Sequence, residues 1–317
     1  MGNSCQQKSS SCSSGSCGSP DAAVAKQNMA ITTSLGKIKN KILVMSGKGG
    51  VGKSTVSTNL ALGLANRGYK VGLMDVDLHG PDICRMLNLT EKLQATQTDG
   101  RSLFPPMQYG ENLKVISLEY MMEDRDDPII WRGPLKVQAI RQFIADMDWG
   151  ELDYLIIDAP PGTGDEPLTV AQTIKDALAV VVTTPQEVAL ADVRKSLNFC
   201  KHVKMKVIGM VENMSGFICP HCNKSVEIFK TGGGEKTAGE FGVNFLGRVP
   251  IDPRIVVGGD DGKPYLSSAA ESPATKAFAE IISNVEKYIA AAAPSSLKIA
   301  DAGCACGSTC NPTTCSC

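Results

Sequence analysis

The sequence predicts an α/β fold with a mostly parallel, doubly wound sheet and helices on both faces. Apolar runs of strand length alternate with longer segments of helical periodicity, which is the pattern of consecutive βαβ units. Several runs are continuously apolar, as expected for strands that are covered on both faces. We predict strands at 41–46, 70–75, 113–118, 152–158, 177–184 and 206–213. Helices are predicted to begin at Lys53, Pro134, Glu166 and Val188.

The clearest helix is the last one in the sequence. Ser272 is suited to cap it, and Pro273 falls in its first turn. Its apolar residues recur on one face, at Phe278, Ile281, Ile282, Val285, Tyr288 and Ile289. We interpret this face as one that packs against the core.

The two ends of the chain differ in composition from the segment between them. Residues 1–36 and 294–317 are rich in Ser, Gly and Cys and have few bulky apolar side chains, so they cannot bury enough surface to order themselves alone. We therefore predict disordered, cysteine-containing tails on either side of one domain that spans residues 37–293.

Charge and apolar patterning restrict the partners and the compartment. The 32 basic and 33 acidic residues nearly balance, and the basic residues are scattered, which argues against nucleic acid or an anionic membrane as a partner. No apolar run is long enough to span a bilayer, and the first arginine is Arg67, unlike an arginine-rich presequence. We expect a cytoplasmic protein.

Twelve cysteines in such a chain are better interpreted as metal or redox ligands than as disulfides, because cytosolic thiols are kept reduced. Three lie near the start, five lie between 304 and 317, and Cys219 and Cys222 form a C-x-x-C pair. The isolated Cys84 and Cys200 are expected to be small buried apolar residues.

A phosphate-binding motif follows the first predicted strand and opens a helix. In "SGKGGVGKST" (46–55), Gly47, Gly52, Lys53 and Ser54 match G-x-x-x-x-G-K-[ST]. The loop residues expected to contact the nucleotide are Gly47, Lys48, Gly49, Gly50, Val51, Gly52, Lys53, Ser54 and Thr55. Glycines allow backbone N–H groups to approach phosphate, and the helix N-terminus attracts its charge. This motif predicts a P-loop NTPase.

Three side chains supply charge and metal ligands to the expected phosphate site. Lys53 should neutralise the β- and γ-phosphates, and Ser54 should offer its hydroxyl to Mg²⁺. Asp158 ends the apolar strand "YLIID", the position of a Walker-B carboxylate. The segment "APPGTGD" (159–165) that follows is expected to be a switch loop.

The loop "KGGVGKST" resembles the deviant Walker A motif of the MinD/ParA/Mrp class. The resemblance implies that Lys48 reaches the nucleotide of a partner subunit, where it would act like an arginine finger. "LMDVDLHGPD" (73–82) is similar to the switch I of that class, which implies that Asp77 orients the attacking water. We interpret Asp75 as a capping residue.

Two later segments resemble the parts of this class that contact the adenine base. "VENMSG" (211–216) resembles the segment whose asparagine reads the base, which implies that role for Asn213. "GRVPID" (247–252) resembles the loop that closes over the base, which implies contacts from Pro250 and Asp252.

The order of motifs, from the P-loop through "DAPPGTGDE" to "CPHC", resembles the Mrp/Nbp branch of cytosolic iron–sulfur cluster carrier and scaffold ATPases. The resemblance covers about residues 37–290. It implies that ATP, Mg²⁺ and a labile [4Fe–4S] cluster are bound, and that the cluster is transferred to apo-proteins with the help of assembly factors.

The C-x-x-C pair supplies two ligands, whereas a [4Fe–4S] cluster or a structural zinc normally requires four. In a dimer with two-fold symmetry, Cys219 and Cys222 of both subunits would complete one site. The partner subunit is either a second copy or a paralogue in a heterodimer or heterotetramer. Four thiolates also suit zinc, so the residues leave both metals open, and the resemblance favours iron–sulfur.

The remaining cysteines do not complete a known pattern. Longer eukaryotic members of this branch carry a four-cysteine site near the N-terminus, but only Cys5, Cys12 and Cys17 are present here. Either terminal segment could bind a second cluster, supply the central site, or hold metal adventitiously.

Two other functions compete with the cluster carrier. One is a positioning ATPase of the MinD or ParA kind, which would act on membrane or DNA. The other is a zinc-stabilised or metal-storage protein with a vestigial P-loop. Neither a basic amphipathic C-terminal helix nor a basic patch supports the first.

Overall fold

A computed structural model describes residues 20–90, 95–98, 101–121, 133–219, 221–222, 224–268 and 271–292 of the chain. The predictions for Cys5, Cys12 and Cys17, and for residues 294–317, lie outside the described residues. Within the described ranges, no helix combines the length and the apolar character that crossing a bilayer requires.

The strands of the described residues are β1 (Ile38–Ser46), β2 (Val71–Asp75), β3 (Thr96–Thr98), β4 (Arg101–Leu103), β5 (Met107–Tyr109), β6 (Leu113–Ser117), β7 (Leu152–Asp158), β8 (Leu178–Thr183), β9 (Val207–Glu212), β10 (Phe217–Ile218), β11 (Ser225–Val226) and β12 (Phe245–Arg248). Eight of them form one sheet in the order β12-β9-β8-β1-β7-β2-β6-β5. Neighbouring strands run parallel except for β5, which is antiparallel to β6. The strands β3 and β4, and β10 and β11, form separate two-stranded pairs.

The helices of the described residues are α1 (Pro20–Leu35), α2 (Lys53–Asn66), α3 (Ile83–Met86), α4 (Gly133–Asp146), α5 (Asp165–Thr173), α6 (Glu187–His202), α7 (Gly233–Phe241), α8 (Pro253–Asp260), α9 (Tyr265–Ser268) and α10 (Pro273–Ala292), together with a short 3₁₀ helix at Leu118–Met121. Helices α1, α4, α5, α6 and α7 contribute to the core on one face of the sheet. Helices α2 and α10 cover the other face. The prediction of a mostly parallel sheet with helices on both faces is confirmed.

The last helix, α10, forms as expected. The backbone N–H of Thr275 donates to the hydroxyl of Ser272 at 3.0 Å, so this serine caps the helix. The apolar face is buried through Phe278, Ile281 and Val285.

The helix α1 corrects the prediction that residues 1–36 form a disordered tail. Ala30, Ile31 and Leu35 are buried in the core, and the hydroxyl of Ser34 donates to the carbonyl oxygen of Met147 at 2.7 Å. The segment has few apolar residues, but packing against α4 buries the ones it has. The prediction is therefore wrong for residues 20–35.

The carboxyl ends of the parallel strands meet at one edge of the sheet. The segments that follow β1, β2 and β7 at this edge are 47–52, 76–82 and 159–164. Ligands of open α/β sheets bind in the crevice outside the carboxyl ends of the strands. The fold therefore brings together the three segments that the sequence assigns to phosphate, water and metal.

Candidate functional site

At two positions of the loop between β1 and α2, the surrounding atoms leave room only for glycine. A Cβ on Gly47 would lie 2.3 Å from the carbonyl carbon of Asp192, and one on Gly52 would lie 2.2 Å from Nδ2 of Asn213. Gly52 also adopts φ 81°, which favours glycine. No side chain caps the start of α2 at Gly52, which leaves N–H groups of the first turn available to an anion.

A cavity of about 380 Å³ opens over this loop. Its lining includes the predicted residues Lys48, Gly49, Gly50, Gly52, Lys53, Ser54, Thr55 and Asp77. Val51 is buried instead, with its carbonyl oxygen 2.9 Å from Nδ2 of Asn213. Lys48 is exposed, and its side chain has no ion-pair partner among the described residues. The cavity therefore presents backbone amides and two lysines to a ligand.

Lys53 lies within a cluster of buried carboxylates. Its Nζ is 2.7 Å from Oδ2 of Asp158 and 3.7 Å from Oδ2 of Asp77. Burial disfavours the charged ammonium, but the attraction of Asp158 and then Asp77 outweighs it, so the pKa of Lys53 is raised. The lysine therefore remains charged and available for phosphate.

The same cluster contains oxygen donors of the kind that Mg²⁺ prefers. The hydroxyl of Ser54 donates to Oδ2 of Asp158 at 2.6 Å, and Asp77 borders the cavity beside them. These donors fit the ion that the sequence predicts.

Asp75 has the capping role that the sequence predicts. Its carboxylate accepts the N–H of Asp77 at 3.1 Å and the hydroxyl of Ser117 at 3.2 Å. Burial, with repulsion from Asp158, raises the pKa of Asp75 well above its ordinary value. Burial likewise raises the pKa of Asp77, against the attraction of Lys53.

Replacing Asp75 with asparagine should change how stability depends on pH. Between the ordinary pKa of 3.8 and the raised folded-state pKa, the folded chain binds a proton that the unfolded chain has lost. The free energy of unfolding of the wild type should therefore fall, relative to Asp75→Asn, as the pH rises from about 4, by at most about 1.4 kcal/mol per pH unit. Urea unfolding of the nucleotide-free chain at several pH values measures this difference.

Asp153 supplies the control for this experiment. Its pKa is lowered by a hydrogen bond from Lys39, so its contribution to stability is present above the ordinary pKa and is lost as the pH falls. Asp153→Asn should therefore give a difference of opposite sign. A wild-type stability that rises with pH relative to Asp75→Asn would contradict the raised pKa of Asp75.

Ser57 was not predicted from the sequence to belong to the site. Its hydroxyl lies 2.7 Å from Oδ1 of Asp158, so this carboxylate has a hydroxyl group on each oxygen, from Ser54 and Ser57. Ser57 is four residues after Lys53 on α2, and that spacing places both on one face of the helix. The four-residue spacing from Lys53 could have identified Ser57 as a residue of the site.

A second missed feature connects the two expected switch loops. Nζ of Lys136 on α4 lies 2.7 Å from Nε2 of His79 and 2.8 Å from Oε1 of Glu166. His79 follows β2 and lines the cavity, and Glu166 lies in the first turn of α5. No site role was predicted for Lys136 or Glu166, because the three residues are distant in sequence.

The residues predicted to contact the base lie in two places. Asn213 is buried against the P-loop, with its amide on the carbonyl oxygen of Val51. Pro250 and Asp252 instead border a groove of about 470 Å³ beside β10, outside the cavity at the P-loop. The carboxylate of Asp252 caps α8 and accepts the hydroxyl of Tyr265 at 2.7 Å. Contact of these residues with a base stays a prediction.

The C-x-x-C pair lies at the end of the hairpin formed by β10 and β11. Cys219 is partly exposed and Cys222 is exposed, while Cys84 and Cys200 are buried as expected. Hydrogen bonds from the backbone N–H of Cys222, from that of His221 and from the Cys222 thiol lower the pKa of Cys219. This favours the thiolate, which is the metal-binding form.

The hairpin does not complete a metal site by itself. Among the described residues, no group of three or more His, Cys, Asp or Glu side chains is placed to hold a metal ion. That the pair forms half of a four-thiolate site stays a prediction.

Comparison with known proteins gives concordant matches. A family model described as the NUBPL iron-transfer P-loop NTPase matches residues 37–286. An iron-sulfur cluster carrier protein of Methanocaldococcus jannaschii is 46% identical over 287 residues, which are 90% of this chain and 97% of the relative. The cytosolic Fe-S cluster assembly factor CFD1 of Kluyveromyces lactis is 52% identical over 227 residues, 70% of this chain and 80% of the relative.

Solved structures share the fold. A nucleotide-binding protein of Archaeoglobus fulgidus in complex with ADP, in which cobalt was found, has a TM-score of 0.67 and 37% identity, covering 79% of this chain and 96% of that one. The septum site-determining protein MinD of Pyrococcus horikoshii, complexed with Mg-ADP, has a TM-score of 0.58 at 23% identity, covering 79% of this chain and 97% of that one. The second likeness concerns the fold alone.

Proposed function

Because the chain belongs to the family of NUBPL iron-transfer P-loop NTPases, we propose that it is an ATP-hydrolysing scaffold and carrier of iron–sulfur clusters. In this proposal, two subunits assemble a labile [4Fe–4S] cluster between them and transfer it to apo-proteins. Support comes from relatives named as cluster carriers and assembly factors at 46% and 52% identity. The cluster is the cargo, and ATP is the substrate.

The charges of the P-loop cavity suit ATP hydrolysis. An incoming phosphate would compete with Asp158 for the Lys53 ammonium, which is now 2.7 Å from that carboxylate. Ser54 and Asp158 would hold Mg²⁺, which neutralises phosphate charge in such sites. Asp77 borders the cavity and would orient the attacking water, and the exposed Lys48 would clamp the nucleotide of the partner subunit.

The observation that carries the cargo assignment is the incomplete thiol site. Cys219 and Cys222 end an exposed hairpin, and Cys219 has a lowered pKa without any third ligand in the described part of the chain. Two such pairs related by a two-fold axis would supply four thiolates. A site shared between subunits can open when they separate, which suits release of a cluster.

The partners follow from this arrangement. The second subunit would be another copy or a paralogue, as a heterodimer or heterotetramer, and the recipients would be apo-proteins that need clusters. Relatives named as cytosolic assembly factors support the cytoplasm as the compartment.

Anaerobic reconstitution of the full chain with iron and sulfide tests the proposal. The wild type should bind about two iron atoms per chain at the central site, since a [4Fe–4S] cluster is shared by two subunits. Cys222→Ser removes one ligand from each half-site and should lose this iron and its brown absorption. Iron, sulfide and zinc are measured on both proteins.

Cys200→Ala is the matched control, because it removes a buried thiol that lies away from the hairpin. It should bind iron like the wild type. Tight zinc in place of iron, lost in the same Cys222→Ser variant, would support the zinc-stabilised alternative. An iron content per chain that equals the wild-type value in both Cys219→Ser and Cys222→Ser would contradict a shared site on the hairpin.

A further inference from the structure

The residues between β9 and the thiol hairpin contact two functional regions. Glu212 is the last residue of β9 and is 0% exposed, and Asn213 follows it with 6% exposure. Their side chains make separate sets of hydrogen bonds, one at the base of the hairpin and one at the P-loop. This short stretch therefore joins regions that the sequence places more than 160 residues apart.

Glu212 accepts hydrogen bonds at both ends of the segment that carries the cysteines. Its Oε1 accepts the hydroxyl of Ser215 at 2.5 Å and the N–H of Gly232 at 2.9 Å. Its Oε2 accepts the N–H of Gly234 in the first turn of α7. In the sequence, the segment 216–231, which contains Cys219 and Cys222, lies between Ser215 and Gly232.

This carboxylate has no ion-pair partner among the described residues, so hydrogen bonds and the N-terminus of α7 compensate its buried charge. Removing the charge would leave several buried donors without an acceptor. A Cβ on Gly234 would lie only 3.0 Å from Oε2, so the contact requires a close approach of the backbone. One buried side chain therefore contacts both ends of the segment, in addition to the backbone hydrogen bonds from Ser215 to Val249 and from Ile251 to Gly216.

Asn213 makes the contact on the other side. Its Nδ2 donates to the carbonyl oxygen of Val51 at 2.9 Å, and its backbone N–H donates to the carbonyl oxygen of Thr183 at 2.8 Å. The absence of a Cβ on Gly52 allows this approach. A shift of Val51 and Gly52 on binding phosphate would therefore act directly on Asn213, and through the backbone on Glu212.

We propose that Glu212 is a positioning residue for the thiol pair, and that Glu212 and Asn213 transmit nucleotide occupancy of the P-loop to Cys219 and Cys222. The significance of this link for cluster transfer rests on the proposed function. The link itself concerns only nucleotide and thiols, so it can be tested in the metal-free chain.

Alkylation of the full, metal-free chain by iodoacetamide measures the link. The rates at Cys219 and Cys222 are followed by peptide mass spectrometry without nucleotide, with Mg-ADP, and with Mg²⁺ and a non-hydrolysable ATP analogue. In the wild type, nucleotide should change the rate at this pair by about fivefold, a modest coupling between two sites. The buried Cys84 and Cys200 serve as internal references in the same digest.

Glu212→Gln keeps the shape of the side chain but replaces one acceptor oxygen with a donor. The ratio of alkylation rates with and without nucleotide should fall to about 1, while nucleotide affinity changes by less than about twofold. Ser215→Ala removes one donor only and should give an intermediate ratio, which keeps the test informative if Glu212→Gln folds poorly. Glu235→Gln makes the same chemical change on the exposed surface of α7 and should behave like the wild type.

A merely structural role would change the absolute rates but preserve the nucleotide-dependent ratio. The proposal is therefore overturned if Glu212→Gln binds nucleotide and keeps the wild-type ratio, or if saturating nucleotide leaves the wild-type rates unchanged. Neither outcome depends on iron content. A chain that shows the coupling but binds no cluster would separate this link from the cargo assignment.

Discussion

Lys53→Met should reduce ATP hydrolysis by about 10³-fold, comparable to the loss of a cationic group that stabilises a phosphoryl-transfer transition state. Methionine has similar length but no charge, so the nucleotide phosphates lose the ammonium that now lies 2.7 Å from Asp158. Single-turnover hydrolysis of radiolabelled ATP is the appropriate measurement, because we expect slow intrinsic turnover.

The same substitution should also destabilise the nucleotide-free chain. Lys53 compensates buried Asp158 and Asp77, and breaking a buried pair costs about 3–5 kcal/mol. We expect the lower end of this range, since Ser54 and Ser57 still donate to Asp158. Urea unfolding at neutral pH measures the loss.

Lys41→Met is a matched control for catalysis. Lys41 is 5% exposed and Lys53 is 7% exposed, and each has an aspartate at 2.7 Å, but Lys41 pairs with Asp176 away from the P-loop cavity. Lys41→Met should keep most of the turnover. A Lys53→Met chain that hydrolyses ATP at more than about a tenth of the wild-type rate would refute the phosphate role.

Lys48→Ala should also lower single-turnover hydrolysis by about 10³-fold, if the lysine acts as a finger across a dimer. The side chain is exposed at the rim of the P-loop cavity without an ion-pair partner in the described part of the chain. It can therefore extend toward a second subunit. Stability should change little, because an exposed side chain contributes little to the core.

Mixed dimers distinguish action in trans from action within one subunit. The Lys48→Ala chain and the Lys53→Met chain are co-expressed with different tags, and the mixed dimer is purified through both tags. A dimer of either variant alone is expected to be inactive. If Lys48 acts in trans, the subunit with intact Lys53 receives Lys48 from its partner, and about half of the wild-type activity per dimer returns. A mixed dimer as inactive as both parents would contradict the trans role.

The sequence predicted the parts of the fold whose signal is local. The predicted strand at 152–158 coincides with β7, and the predicted helix starts at Lys53 and Pro273 coincide with those of α2 and α10. Continuous apolar runs bounded by glycine or a cap make these elements visible without knowledge of the packing.

The missed elements depend on distant contacts. Strand β5 has only three residues with mixed polarity, so pairing with β6 rather than propensity defines it. Strand β12 is also short, and it pairs with β9 across an irregular register. Helix α1 becomes part of the core only because α4 covers its few apolar residues.

The candidate site likewise contains residues with a local sequence signal and residues that depend on distant contacts. The motif around Lys53 and the carboxylate of Asp158 follow from residue type and spacing. The contact between Asn213 and Val51 spans 162 positions, and it arises from the strand order β9-β8-β1. The roles of Glu212 and Lys136 likewise depend on which loops become neighbours, and that information is absent from any short window of sequence.

The direction of α1 determines on which side of the domain this helix begins. The amide of Gln27 bonds to Gln142, and Ser34 bonds to Met147 at the end of α4, so both helices run in the same direction. Pro20 therefore lies toward the end of α4 that bears Lys136, beside the nucleotide loops. Helix α1 consequently begins on the side of the domain that carries the P-loop cavity and ends on the opposite side, beside Met147.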